Sequence, residues 1–207
     1  MSRPSRVALL ALALVLVTAG TLAASDAGLS GKEGHPRERF PLAIHIASFG
    51  DPGLDQAARR AVEDWSRLSE AVLGVSVFAW TGRAADAQVV VAVEPRTSER
   101  LMGLTQLDAQ DDGLIALPVR ITVHEPATRG RTTPELVLYQ VLAHELGHAL
   151  GLEHTGDPRS LMCCVPGSVD FNDPVQREAY VQARRHPDLA TVRAQLAEHY
   201  ARFWRLR

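Results

Sequence analysis

The sequence predicts an α+β domain built on a mixed sheet of about five strands. Three observations point there. Short β-forming runs are grouped between Pro41 and His124, a long amphipathic helical stripe follows the first of them, and helical patterns take over from Thr132 onward. Strands grouped ahead of helices, with one helix between the first two, describe an α/β or α+β domain, and the grouping favours α+β.

The fold does not begin at the first residue. Arg3 and Arg6 precede an apolar run from Val7 to about Ala24, and small residues close it. A positive flank, an apolar stretch and a small-residue end mark residues 1–24 as a secretory signal peptide, with cleavage near Ala23 or Ser25. The alternative is an uncleaved N-terminal anchor through residues 7–24, because the run just reaches bilayer-spanning length. Both readings place the remaining chain in a secreted or extracytoplasmic setting. Residues 25–40 are rich in Gly, Ser, charged residues and Pro, have no periodicity, and read as a linker.

The elements follow in order. Pro41 to Phe49 alternates well enough for a first strand. Asp51-Pro52 supplies an N-cap and a proline at the first helical position. Leu54, Ala58, Ala61, Trp65, Leu68 and Val72 then recur at steps of three and four, and Gly74 ends that helix. Strands are expected at Val75 to Trp80 and Ala87 to Val93, the latter apolar enough for burial on both faces. Glu94 to Gly113 is loop-like, with a short strand at Leu104 to Leu107, and another strand runs from Leu117 to His124. Thr132 and Glu135 have capping-box spacing, so a helix should run from Pro134 to about Leu150 and stop at Gly151. Asp173-Pro174 opens a further helix that His186-Pro187 interrupts. A last helix carries Leu189, Val192, Leu196, Tyr200 and Phe203 on one side. Residues 171–207 therefore read as a C-terminal helical extension packed on the main domain, in preference to a helix lying on a membrane.

Composition excludes some partners. The chain has 207 residues and a formal net charge of −2, and without a basic excess nucleic acid is not expected. Membrane contact is expected only through the N-terminal segment, if it stays uncleaved. The two cysteines, Cys163 and Cys164, are adjacent. A trans peptide step does not match the usual Cα separation of a disulfide, so no ordinary staple is expected from them. They read as small hydrophobes, with a thiolate held against a metal as the alternative.

His144-Glu145-Leu146-Gly147-His148 falls in the second half of the well-capped helix. Residues four apart share a face, so His144 and His148 can aim at one point, and imidazole nitrogens suit zinc. Glu145, a quarter turn away, stands beside the metal as a general base for its water. Gly151 can take the left-handed conformation that turns the chain, and His154 can swing back as a third ligand. Adding that glycine and histidine at fixed spacing lowers chance occurrence of the motif by roughly a thousandfold.

The string from His144 to His154 resembles the metzincin pattern of zinc metallopeptidases at all its defining positions, and HELGHALGLEHTGDPRSLM looks like the matrixin branch. Trp65 and the strand ADAQVVVAV are further matrixin-like landmarks. The resemblance makes residues 41–170 a matrixin-like catalytic domain, with a twisted sheet, two long helices and zinc at the floor of a cleft. It implies that Met162 forms a methionine turn beneath the metal. It also implies that the edge strand at Leu104 and Thr105 pairs with an extended peptide substrate. The implied function is a zinc metalloendopeptidase that hydrolyses protein or peptide substrates with a metal-activated water. The alternative is a zinc-containing protein of the same fold that binds peptides without cutting them.

The sequence also departs from that family. Asp108, Asp111 and Asp112 offer carboxylates for calcium, but no histidine-rich pattern accompanies them and a solvated acidic turn is the expectation. Cys163-Cys164-Val165-Pro166 stands where the family builds a wall of its specificity pocket.

Overall fold

The computed structural model describes residues 29–95, 102–127 and 132–206. The expected signal or anchor segment and residues 25–28 lie outside the described residues. Among the described residues no helix is long and apolar enough to cross a membrane.

Five strands, β1 (Leu42–Ile46), β2 (Phe78–Trp80), β3 (Val89–Glu94), β4 (Gly103–Gln106) and β5 (Val119–His124), form one mixed sheet in the order β2-β1-β3-β5-β4. All neighbours are parallel except β4, which runs antiparallel to β5 at the edge. The register aligns Ile44 with Val89 and Val89 with Val119, so one row of β-branched side chains crosses three strands on one face. That face is buried. The expectation that the third strand is buried on both faces is corrected, since Val89 and Val91 are buried but Ala92 is exposed. Val, Ala and Val in succession resemble a doubly covered strand, yet one face of β3 lacks that cover.

Two long helices, α1 (Pro52–Leu73) and α2 (Pro134–Ala149), complete the core with the buried face of the sheet. Asp51 caps α1 by accepting from the N–H groups of Gly53 and Leu54, and Gly74 ends it at φ 70°. The cap of α2 is Thr133, which accepts from Leu136 N–H, and not Thr132 as the capping-box spacing suggested. Trp65, fully buried on the predicted stripe of α1, donates its indole N–H to the carbonyl of Ala143 at 2.8 Å. That bond ties the two helices together one residue before His144.

Residues 29–40, which read as a linker, are docked instead. Gly34 bridges to Leu114, a 3-10 turn spans Arg37–Arg39, and His35 is fully buried. The His35 Nε2–H donates to Ala149 O at 2.9 Å, while its Nδ1 accepts from Arg39 at 3.2 Å. Helix α3 (Pro174–Arg185) buries no side chain, and a 3-10 turn (Leu189–Val192) leads into α4 (Arg193–Arg205). From α4, Tyr200 donates to Leu150 O at 2.9 Å and Gln195 to Glu153 O at 2.7 Å. The carbonyls at the end of α2 have no partners within the helix. His35 and Tyr200 supply partners for two of them. Both chain segments outside the expected catalytic core thus brace the end of the helix that carries the histidines.

The bracing His35 and the nearby buried His199 are both neutral imidazoles. Burial pushes His35 down to about 4, with Arg39 and His199 adding to it, and burial with nearby Arg202 does the same for His199. In the unfolded chain both would titrate near 6.5. Below that pH the unfolded state takes up protons that the fold refuses, so stability is full above about 6.5 and falls as pH drops toward 4. The expected loss between pH 7.5 and 4.5 is on the order of a few kcal/mol by urea unfolding. The three histidines expected as metal ligands would add their own dependence. The loss should therefore be compared with that of His199→Phe, which should lose clearly less; equal losses would remove these residues from the account.

Candidate metal centre

The site is built on the last two turns of α2 and the bend after it. Gly151 sits at φ 87°, with its N–H bonded to His148 O at 2.8 Å and the Leu152 N–H bonded to Gly147 O at 3.0 Å. This pair of bonds is a Schellman ending, and it reverses the chain while burying Leu152. A side chain on Gly151 would also strike the carbonyl of Glu33 in the docked N-terminal segment. Gly151→Ala should therefore cost about 2–4 kcal/mol in urea unfolding, combining left-handed strain with the clash.

The bend brings His154 back to the helix. The Nε2 atoms of His144, His148 and His154 stand 3.0–3.1 Å from one another. The Nδ1 of His144 donates to Leu161 O at 2.9 Å, and the Nδ1 of His148 donates to Leu152 O at 2.8 Å. Carbonyls only accept, so each of these rings carries its proton on Nδ1 and presents an Nε2 lone pair to the centre. Lone pairs converging at this distance repel unless a cation lies among them. Ligands at roughly 2.0–2.1 Å in a zinc tetrahedron stand about 3.3 Å apart, close to the spacing found here. Burial, reinforced by the neighbouring His148, pushes His144 down to about 3, which keeps the ring neutral and able to ligate. The donor set fits zinc. Among the described residues these three histidines are the group able to hold a metal, and no cysteine joins them.

The floor beneath is equally specific. Thr155 N–H donates to Met162 O at 2.9 Å, Val165 N–H donates to Thr155 O at 3.1 Å, and Thr155 bridges to Cys163. The segment leaving His154 is therefore pinned to the turn holding Met162. Met162 is fully buried, and a Cβ at Gly147 would strike its sulfur and crowd Trp65. The glycine in the HELGH string is there because Met162 occupies the space a side chain would need.

Glu145 is buried on α2, and Thr105 on β4 donates its hydroxyl to Glu145 Oε2 at 2.7 Å. Leu104 is half-buried and paired with Thr122, so the two residues of the expected substrate edge differ in direction. Thr105 turns its side chain toward α2 and Leu104 does not. The Thr105–Glu145 contact spans forty positions of sequence, and no local signal announces it.

Cys163 and Cys164 lie side by side and link no two elements of the fold, as expected of adjacent cysteines, and neither belongs to the group able to hold a metal among the described residues. Asp108, Asp111 and Asp112 are exposed and do not converge as a metal-capable group among the described residues; Asp112 instead accepts the Leu114 N–H.

An imidazole triad on a helix and its return bend, with His148 buried and His144 and His154 half-buried, stands beside a mixed sheet with one antiparallel edge and has the donor set of a zinc site. The matrixin family profile matches residues 51–172, more than half of the chain, and the protein belongs to that family. Matrixins are peptidases that use zinc. A 35-residue stretch, 17% of this chain, is 51% identical to macrophage metalloelastase from Oryctolagus cuniculus; the match spans 8% of that protein.

Proposed function

We propose that this protein is an extracytoplasmic zinc endopeptidase that hydrolyses proteins or peptides with a metal-activated water. The observation that carries this reading is the convergence of three Nε2 atoms, two of them on rings whose Nδ1 protons are committed to carbonyls. Zinc held there supplies Lewis acidity at the scissile carbonyl and makes water acidic enough to react near neutral pH. His144, His148 and His154 serve as its ligands, and the Leu161 and Leu152 carbonyls orient the first two. The Glu145 carboxylate accepts the proton of the attacking water and delivers it to the departing amine nitrogen. Met162 supports the histidines from below without ligating.

Edge strand β4 suits an extended substrate. His124 N–H donates to Met102 O, and the antiparallel alternation from that pair points the backbone groups of Thr105 away from β5, where a peptide strand can add. Arg3, Arg6 and the apolar stretch from Val7 to Ala24 support passage out of the cytoplasm, as a cleaved signal or an anchor.

The test uses purified protein starting after residue 24. Metal analysis should find one zinc per chain, and a peptide digest should show cleavage that a chelator stops and added zinc restores. Intact peptides at full zinc occupancy would overturn the hydrolase and favour the peptide-binding protein of the same fold.

A further inference from the structure

We propose that Thr105 is a positioning residue whose buried hydroxyl holds the Glu145 carboxylate in the orientation that proton transfer requires. The inference rests on the reading of Glu145 as the general base, and it adds a group that aims it.

The geometry is close on both sides of that carboxylate. Gly103 and Thr105, two apart on β4, face α2, and both are buried. A Cβ at Gly103 would lie 2.7 Å from Val141 Cγ1 and 2.8 Å from Glu145 Oε1, so only a glycine lets the strand come this near. The Thr105 hydroxyl lies 2.7 Å from Glu145 Oε2 and 3.0 Å from Glu145 O. A hydroxyl has one proton, and the shorter contact to a carboxylate, with its charge, is the stronger acceptor. Glutamate's terminal torsion is broad and roughly two-fold, so an unrestrained carboxylate would sample many orientations. A hydrogen bond from a rigid strand selects among them. The bland alternative is a strand threonine whose hydroxyl merely needs a partner. Against it stands the choice of partner: the carboxylate beside the metal ligands, closer than the backbone carbonyl that is also within reach.

Position on β4 adds a second consequence. The backbone of Thr105 faces the open edge, while its side chain faces Glu145, so replacing the side chain leaves the backbone available for substrate pairing. Loss of the hydroxyl should therefore appear in kcat and not in KM.

The test takes zinc-loaded protein with Thr105→Val, which keeps the shape and removes the donor, and Thr105→Ser, which restores it. Thr105→Ala serves if Val does not fold. Thr105→Val should lower kcat by roughly 10–100-fold with KM changed less than about 3-fold. Thr105→Ser should recover most of that loss. A readout independent of activity is the unfolding midpoint of Thr105→Val, Glu145→Ala and the double variant. The shift caused by Thr105→Val should shrink when Glu145 is already Ala. Unchanged kcat in Thr105→Val, a Ser variant as slow as Val, or additive midpoint shifts would each overturn the inference. Absence of chelator-sensitive cleavage in the unaltered protein would instead sink the peptidase reading, and the midpoints would still decide the coupling between the two side chains.

Discussion

Replacing Glu145 with Ala should leave zinc at one per chain while lowering kcat/KM by about a thousandfold or more. Glu145 is rotated off the face shared by His144 and His148 and does not join the three converging nitrogens, so the ligand set survives its loss. The proton transfer does not. General-base catalysis is worth ~10²–10⁴-fold, and in the proposed mechanism one group serves both the water and the leaving amine. Glu145→Gln is the companion variant, since it keeps the volume of a buried side chain that contacts Thr105 and Gly103. Metal analysis and initial rates on the same samples check both statements. Retained cleavage in a zinc-loaded, homogeneous Glu145→Ala preparation would remove the carboxylate from the chemistry.

The second large effect is expected at His148. His148→Ala should lose the metal, the activity and part of the stability together. Loss of an outer partner of a zinc ligand typically weakens binding by roughly 10–100-fold, and removal of a ligand itself should exceed that. Because the ion binds the fold and not the unfolded chain, saturation at about 100 times the dissociation constant adds ~2.7 kcal/mol to stability. A chelator should therefore lower the unfolding midpoint of the unaltered protein, and added zinc should restore it. In His148→Ala the same additions should change nothing. Stoichiometric zinc in His148→Ala would mean that these three rings are not the binding site.

Much of the site was legible because its logic is local. An i, i+4 pair on a helix must share a face, and a glycine placed to end that helix must turn the chain. The caps and stops of α1 were equally readable, since Asp51-Pro52 and Gly74 act over a few residues. The docked segment 29–40 was not. It has no periodicity, and its anchors are a histidine, a type of intermediate burial, and an arginine, a type mostly exposed.

The amino-acid order alone determined the helix that carries His144 and His148, the bend that can return His154, and the alternation of the strands. Each follows from backbone geometry within a few residues. Only the tertiary structure decided that Thr105 touches Glu145, that Trp65 bonds to Ala143, and that His35 and Tyr200 close the end of α2. Those pairs lie 40 to 114 positions apart, and a buried polar group finds its partner only where packing of the whole chain leaves one within reach.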